Sequence, residues 1–376
     1  FLRRNHQILQ FLLIFSSLIS FILHKFALMK KKILFIINPI SGTTSKRVIP
    51  EFITHNINHD LFDIDIQMTQ GPGDATSLAK AASDRGVDAV VAVGGDGTVN
   101  EVARSLVHTR TALGIIPCGS GNGLARHLLI PRDIKKSLGI INDFVIHDLD
   151  YCVINDMPFF CTCGMGFDAF VSQKFAEAGK RGPVTYVQKV LEEGLKYKPE
   201  TYILKDDTGT QSYKAFLITC ANASQYGNNA YIAPQASMSD GLMDVVIMEP
   251  FNVIEAPQIA IDMFSKTLNK SSRIKTFRTK HLTIHREEPG VIHYDGDPAM
   301  TGKDIDVHVE EKGIRIIVNP HGDKRLRSPN LLQSSAADLF NDLSGLHDDL
   351  VKQTRRGIAL TKLLQKKFGK TINNIK

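Results

Sequence analysis

Short apolar runs alternate with helix-like stretches through the first third of the chain after residue 29. Three of the runs, ILFIIN, DAVVAVG and ALGIIP, are almost continuously apolar, which is typical of buried strands. The run FDIDIQMT alternates apolar and polar side chains with period two and predicts a half-buried strand. The four predicted strands cover 33–38, 62–69, 88–94 and 112–117. Helices are predicted over 45–54, over 75–86 with Asp74 as the cap, over 98–107 and from 123 onward.

This repeated strand–helix order predicts a parallel sheet with helices on both faces, formed by residues 29–145. After residue 145 strand-like segments follow one another, separated by short turns such as Asn155-Asp156. Helical stretches near 168–197 and 252–267 interrupt them. We therefore predict an α/β fold with a second, mainly antiparallel β domain over residues 146–320. Its strand-like segments are VIHDLDYCVIN, MPFFCTCGMG, SYKAFLITCANA, LMDVVIM, HLTIHRE, VIHYDGD, DIDVHVE and GIRIIVN.

The two ends of the chain differ from the rest. Residues 1–28 are mostly apolar after Arg3 and Arg4, and Met29 precedes a typical opening strand. Two interpretations stay open: translation starts at Met29, or residues 1–28 form an N-terminal membrane anchor. Residues 321–376 are predicted to be a basic helical segment, because every ionised residue after Leu350 is basic. It is expected either to pack on the first domain or to rest on anionic lipid headgroups.

The net charge and the spacing of the cysteines give no support for a nucleic-acid-binding or a zinc-binding protein. A net charge of +6 over 376 residues is modest and gives no argument for a nucleic-acid partner. The five cysteines have no zinc-site spacing, so we expect reduced thiols in a cytosolic protein.

Polar, glycine-rich loops follow all four predicted parallel strands. The carboxyl ends of parallel strands meet at one sheet edge, so these loops should converge. Glycines let backbone N–H groups approach phosphate oxygens, and the following helices offer unpaired N–H groups. The chain has neither a G-x-x-x-x-G-K-[ST] motif nor a G-x-G-x-x-G at its first turn. The loop residues are Asn38, Pro39, Ser41 and Gly42; Thr69; Gly94, Gly95, Asp96, Gly97 and Thr98; and Gly119, Ser120 and Asn122.

Asp96 is unusual among predicted phosphate-binding groups because a carboxylate repels phosphate. It implies an intervening Mg²⁺ ion or a hydrogen bond to a substrate hydroxyl; the alternative is an aspartate that only stabilises the turn.

The segments NPISG, GGDGTVNEV, PCGSGNGLAR, GMGFDA and SDGLMDV, in this order, resemble the diacylglycerol kinase-like lipid kinases. That family includes bacterial diacylglycerol kinases, sphingosine kinases and ceramide kinases. GGDG alone is shared with NAD kinases and phosphofructokinases, and the segment at 117–126 narrows the choice. The resemblance covers about residues 30–320 and implies a nucleotide domain and a β-rich domain, with the active site between them.

The resemblance also implies ligands and roles for individual residues. ATP would contact the loop residues named above together with Asn100 and Glu101. Arg126 is a further candidate for balancing phosphate charge; the alternative is an exposed helix residue without such a role. A structural Mg²⁺ would be held by the Asp240 carboxylate and the carbonyls of Ser237 and Leu242; the alternative is an Asp-Gly turn.

The family's catalytic carboxylate lies in an Asp-Gly-Glu segment, which here is Asp295-Gly296-Asp297. Asp297 replaces the glutamate with a side chain one methylene shorter. Either the backbone compensates for the shorter reach, or Asp295 takes the larger share of the base role, since transfer geometry is sensitive to such shifts. The catalytic candidates are thus Asp297, Asp295 and Asp96; the alternative for Asp295-Gly296-Asp297 is a β-turn without a catalytic role.

The sequence therefore predicts an ATP- and Mg²⁺-dependent kinase acting on a lipid hydroxyl of diacylglycerol, a sphingoid base or ceramide. It is expected to be cytoplasmic, peripheral at the inner face of a membrane, and a candidate homodimer. Three alternatives remain: a catalytically impaired, membrane-associated nucleotide-binding protein, an NAD kinase, and a transferase that acts on a soluble alcohol.

Overall fold

The computed structural model of the chain describes residues 30–40, 48–178, 194, 197–252 and 254–322. The predictions for residues 1–28, for Ser41 and Gly42, and for the basic segment after Gly322 lie outside the described residues. The described chain up to Pro320 belongs to one compact unit.

The first half of the unit alternates strands and helices as predicted. All six residues of the third and fourth strands are buried, which explains their apolar runs. In the third helix the buried residues Val99, Val102, Ala103 and Leu106 recur at helical spacing. The elements are β1 (Lys31–Ile37), α1 (Ile49–Asn56), β2 (Phe62–Met68), α2 (Asp74–Asp84), β3 (Ala89–Gly94), α3 (Asp96–Leu106), β4 (Ala112–Pro117), α4 (Gly123–His127) and α5 (Ile134–Asp143).

Strands dominate the second half, and three of them were not predicted: Glu200–Asp206, Ile274–Thr279 and Asp297–Thr301. The segments DIDVHVE and GIRIIVN form one long strand, Asp304–Ile317, with an irregularity in pairing between Glu310 and Ile314. The elements are β5 (Ile146–Ile154), β6 (Met157–Phe159), β7 (Thr162–Gly166), α6 (Phe167–Ala178), β8 (Glu200–Asp206), β9 (Gly209–Ala215), β10 (Leu217–Ala221), β11 (Met243–Met248), α7 (Ala256–Phe264), β12 (Ile274–Thr279), β13 (His281–Arg286), β14 (Gly290–Tyr294), β15 (Asp297–Thr301) and β16 (Asp304–Ile317).

The described strands form two sheets. The first has the order β2-β1-β3-β4-β16-β13-β8-β9, with β5 paired to β16 and to β6. Its β2-β1-β3-β4 part is parallel, as predicted. β16 pairs in parallel with β4 at Ile316 and Leu113 and antiparallel with β5 and β13. Strands from the second half therefore continue the predicted parallel sheet and make it mixed.

The second sheet is fully antiparallel, with the order β12-β11-β10-β7-β14-β15. Cys163, Met165, Ile218 and Cys220 from this sheet share a buried apolar cluster with Tyr202, Ile284 and Val307 from the first. The predicted class, an α/β domain with a β-rich second part, is confirmed.

Two local predictions need correction. The residue before α2 is Gly73, in the left-handed conformation, and Asp74 is already helical. The Asp74 carboxylate accepts hydrogen bonds from the N–H groups of Gln70 and Gly71, so it stabilises the preceding loop instead of capping the helix. The helix expected from residue 123 ends early, at His127.

No helix in the described residues is long and apolar enough to span a membrane.

Candidate active site

The loops after β1, β3 and β4 meet at one edge of the first sheet. Asn38 N–H donates to the Val93 carbonyl (3.1 Å), and Cys118 N–H donates to the Gly94 carbonyl (2.7 Å). The Asn38 side-chain amide donates to the Thr98 hydroxyl (3.1 Å), which joins the first loop to the start of α3. The convergence expected from parallel strands is present for these three loops.

Glycine is required in this group of loops by close backbone contact. A Cβ atom on Gly119 would lie 2.6 Å from the Gly95 Cα, and one on Gly94 would lie 2.5 Å from the Thr98 hydroxyl oxygen. The first intrahelical hydrogen bond of α3 runs from Val99 N–H to the Gly95 carbonyl. The N–H groups at the start of α3 therefore lie beside a glycine-lined cradle, which is the arrangement that binds anions.

Asp96 joins two of these loops. One carboxylate oxygen accepts a hydrogen bond from Asn122 N–H (2.8 Å), and the other accepts one from Gly123 N–H (2.7 Å). These donors begin the short helix α4, so Asp96 caps that helix from a distant part of the chain. A Cβ atom on Gly121 would lie 2.7 Å from an Asp96 oxygen. The hydrogen bonds from Asn122 and Gly123 show how Asp96 would stabilise the turn in the alternative interpretation, in which it binds no metal or substrate.

Asn122 fixes the loop after β4. Its backbone is left-handed, with φ of 52°, and its side chain both accepts from Gly119 N–H (2.9 Å) and donates to the Gly119 carbonyl (2.7 Å). Ser120 stands exposed at the tip of this turn. Arg126 donates to the Gly121 carbonyl and to the Asn229 side chain, so its guanidinium braces the loop.

Asp295 lies where β14 turns into β15 and is enclosed by donors. Its carboxylate accepts from the N–H groups of Phe160 (2.8 Å), Cys161 (2.7 Å) and Thr162 (3.1 Å) and from the Asn100 side-chain amide (2.6 Å). Burial raises the pKa of Asp295, and these four donors oppose that rise by stabilising the charged form. Asn100 belongs to α3, so this contact connects the glycine loops to the second sheet.

Asp297 points elsewhere. Its carboxylate pairs with the Arg104 guanidinium of α3 at 3.3 Å, and its side chain is 57% exposed. Arg104 also lies over the Tyr294 ring, 4.7 Å from its centroid. The adjacent Asp295 and Gly296 line the cavity described next, whereas Asp297 does not contribute to its wall.

A cavity of about 560 Å³ separates the glycine loops from the second sheet. Its polar wall residues include Asp96, Asn100, Ser120, Asp168 and Asp295. The apolar lining comes from Val99, Leu124, Phe160, Phe167, Val171, Leu217 and Met263. A cavity of this size, with both polar and apolar lining, suits a ligand that carries polar groups on an apolar body.

The cavity also holds a polar network that the sequence prediction missed. The buried Asp168 carboxylate accepts from the Thr219 hydroxyl (2.8 Å) and the Tyr226 hydroxyl (3.2 Å) and contacts His293 Nε2 (3.2 Å). Asp168 lies within the segment GMGFDA, and His293 lies within VIHYDGD, two residues before Asp295. Their positions inside these two segments were a signal that could have pointed to both residues. Tyr226 and Thr219 carry no comparable sequence signal.

The remaining predicted ligands make no side-chain contact that identifies a nucleotide site by itself. Thr69 is buried and continues the β1–β2 pairing through the Ile37 carbonyl, Pro39 is exposed, and Gly97 lies in the first turn of α3. Glu101 faces α2, where its carbonyl accepts from Thr76 (3.4 Å). The contacts of these residues with ATP stay predictions.

The predicted metal site lies apart from the cavity. The Asp240 carboxylate pairs with Arg278 and also accepts from Leu242 N–H (3.2 Å), while the Ser237 hydroxyl contacts Ser239. A guanidinium thus already neutralises the carboxylate that Mg²⁺ would need. Among the described residues no three acidic, histidine or cysteine side chains cluster as a metal site. A metal at Asp240 stays a prediction.

These features place the chain among proteins that combine glycine-rich loops at the edge of an α/β sheet with a second, antiparallel sheet. The model of the diacylglycerol kinase catalytic domain matches residues 32–154, and that of the YegS C-terminal NAD kinase beta sandwich-like domain matches residues 161–318. The chain belongs to the diacylglycerol kinase-like lipid kinase family, as the motifs indicated.

Known relatives agree with this assignment. The chain is 28% identical over 241 residues to a "Probable lipid kinase YegS-like" of Chromohalobacter salexigens, covering 62% of this chain and 78% of that protein. It is 29% identical over 277 residues to a "Diacylglycerol kinase" of Mycobacterium tuberculosis, covering 71% and 88%. The fold matches the crystal structure of a putative diacylglycerol kinase from Bacillus anthracis, with a TM-score of 0.64, 24% identity, and coverage of 77% and 96%.

Proposed function

We propose that this protein is an ATP-dependent kinase that transfers the γ-phosphate of ATP to a lipid hydroxyl. The observation that carries the proposal is that one cavity is lined both by residues of the glycine loops and the start of α3, namely Asp96, Ser120 and Gly121, and by apolar side chains such as Phe167, Leu217 and Met263. A polyphosphate fits the first part and acyl or alkyl chains fit the second. The lipid's free hydroxyl, at the polar end of its chains, would then meet the terminal phosphate of ATP.

Each half of the site has its own task in this proposal. The N–H groups of the loops after β3 and β4 hold phosphate oxygens, and Asp96 keeps those two loops together through Asn122 and Gly123. Phosphoryl transfer depends mainly on positioning and charge stabilisation, so a fixed cradle contributes directly to rate. Mg²⁺ bound with ATP would neutralise charge on the phosphates.

The turn at Asp295-Gly296-Asp297 supplies the carboxylates. The four donors on Asp295 fix this turn against α3 and β7, so Asp295 serves as its anchor in this proposal. Asp297 is the carboxylate with solvent-facing oxygens, and we assign to it acceptance of the hydroxyl proton. Asp297 does not line the cavity in this structure, so its pairing with Arg104 would have to loosen and its side chain would have to turn toward the cavity when the acceptor binds. The role of Asp297 is therefore the one that most needs a test.

The proposal is tested by incubating the full chain with ATP and Mg²⁺ and a panel of diacylglycerol, a sphingoid base and ceramide in mixed micelles. Mass spectrometry of the products identifies the acceptor. A phosphorylated lipid supports the proposal. Phosphorylation of NAD with no lipid product would identify the chain as an NAD kinase. Binding of ATP without any product would favour a catalytically impaired nucleotide-binding protein.

A further inference from the structure

The helix α7 has apolar side chains on its solvent-facing side. Ile254, just before the helix, is 89% exposed, Ile261 is 56% exposed and Phe264 is 44% exposed. The other exposed residues of the helix, Pro257, Gln258 and Ala260, are uncharged. Its inner side is also apolar, because Ile259 is buried in a cluster with Leu217 and Val246. A helix apolar on both sides normally lies inside a protein or against lipid.

The acidic groups on and beside this helix are already engaged. Glu255 is paired with Arg273 at 2.8 Å, and Asp262 accepts hydrogen bonds from the Gln258 amide (2.9 Å) and the Thr267 hydroxyl (3.1 Å). Lysines follow the helix at its C-terminal end: Lys266 lies over the Tyr231 ring, and Lys270 is exposed. The outward face is therefore apolar with basic residues at one end, which complements an anionic lipid surface.

The same helix reaches the cavity. Met263, between Ile261 and Phe264, lines the cavity together with Leu217 and Phe167. Tyr231 N–H donates to the Met263 carbonyl (3.1 Å), which holds this turn of the helix in place. One turn of α7 thus presents Met263 to the cavity and Ile261 and Phe264 to solvent.

We infer that Ile254, Ile261 and Phe264 form a docking surface that inserts into the headgroup region of an anionic bilayer and brings the cavity to the membrane. This inference rests on the proposed function for its purpose, because only an acceptor held in a bilayer requires such a surface. The insertion itself is independent of catalysis. A lipid would then pass from the membrane along α7 to the apolar cavity wall.

The chain contains no tryptophan, so a single introduced tryptophan reports on its own surroundings. The I261W and L61W variants of the full chain are titrated with vesicles of phosphatidylglycerol and phosphatidylcholine, with and without brominated acyl chains. Leu61 is a suitable control because it is 50% exposed on the turn before β2. The inference predicts a blue shift and bromine quenching for I261W and neither for L61W. Unchanged I261W emission while the protein sediments with the vesicles would overturn it.

A second measurement separates docking from catalysis. The triple variant I254S/I261S/F264S should lower vesicle partitioning by about tenfold or more, since each residue contributes buried apolar area. The control V48S/L61S/I203S changes residues that are 64%, 50% and 43% exposed and should bind as the wild type does. Phosphorylation of a soluble short-chain acceptor by the I254S/I261S/F264S variant should stay unchanged.

The outcomes are distinguishable. Equal partitioning of I254S/I261S/F264S and wild type, or no vesicle binding by the wild type, overturns the docking inference. Insertion of I261W without phosphorylation of any acceptor, soluble or bilayer-held, upholds the docking surface and contradicts the proposed kinase function. Thermal unfolding of each variant confirms that it is folded.

Discussion

The Asn100 side-chain amide donates a 2.6 Å hydrogen bond to the carboxylate of Asp295, which lies 195 residues later in the chain. Asn100 belongs to the helix that begins at the glycine cradle, and Asp295 belongs to the turn that lines the cavity from the other side. This contact therefore fixes the distance between the groups proposed to hold ATP and those proposed to act on the acceptor.

Replacing Asn100 with alanine should lower both stability and turnover. The Asp295 carboxylate would lose one of its four donors, and a hydrogen bond to a charged group contributes about 1.5–3 kcal/mol. Chemical denaturation measures the loss. Asn142→Ala is the control, because its amide makes comparable but exposed contacts with the backbone of Asn56 and Asn58. Equal effects of the two changes would contradict the special role of Asn100.

Alanine substitutions at Gly119 and at Gly97 test how tightly the loops of the cradle are packed. G119A would place a methyl group 2.6 Å from the Gly95 Cα, so a loop must move, and we expect a cost of about 1–3 kcal/mol. G97A meets no atom within 4 Å and lies in a helix, so it should be neutral or slightly stabilising. Thermal unfolding of both variants tests this difference. A G119A protein as stable as G97A would show that the loops are not in tight contact.

His127 should make the fold sensitive to mild acid. Burial lowers the pKa of His127 to about 4, and Ser224 N–H donates to its Nδ1, which must therefore be unprotonated. Between its ordinary pKa of 6.5 and 4, the unfolded chain binds a proton that the folded chain does not bind. Stability contributed by the neutral ring is thus present above pH 6.5 and is lost as the pH falls through this window.

We expect His127→Gln to reduce the loss of stability between pH 7 and pH 5 by about 1–2 kcal/mol relative to wild type. Urea denaturation at the two pH values measures it, and the exposed His59→Gln serves as the control. Identical pH dependence in wild type and H127Q would show that the ring is protonated in the folded protein.

Substitution of Asp297 tests whether its carboxylate acts in catalysis or only in structure. Asp297→Asn should lower kcat by about 10²- to 10⁴-fold if this carboxylate takes the hydroxyl proton. Stability should change by no more than about 1 kcal/mol, because the pair with Arg104 is exposed. Asp304→Asn, at the start of β16 and 79% exposed, controls for loss of a surface carboxylate. Full activity of D297N would remove Asp297 from the mechanism.

Much of the first half of the fold could be predicted because its signals are local. The apolar run of β3 and the helical spacing of Val99, Val102, Ala103 and Leu106 record burial within a few residues of each other. The rule that parallel strands end at one edge then brought Asn38, Gly94 and Cys118 together without any long-range information.

Long-range pairing could not be predicted in the same way. Nothing in the sequence around β16 shows that Ile316 pairs with Leu113 and extends the parallel sheet. Likewise, Asp295 and Asp297 are chemically equivalent in the sequence. Only the fold directs one toward four donors and the other toward Arg104. The Asp168 network escaped prediction because its members come from α6, β10, β14 and the loop after β10.

The most direct test of the kinase assignment is transfer of radiolabel from [γ-³²P]ATP to diacylglycerol, a sphingoid base or ceramide in mixed micelles by wild type and Asp96→Ala. Wild type should label at least one lipid. Asp96→Ala should label none, because the loops after β3 and β4 lose the carboxylate that joins them. Absence of label with wild type on every lipid, or undiminished labelling by Asp96→Ala, would contradict the account.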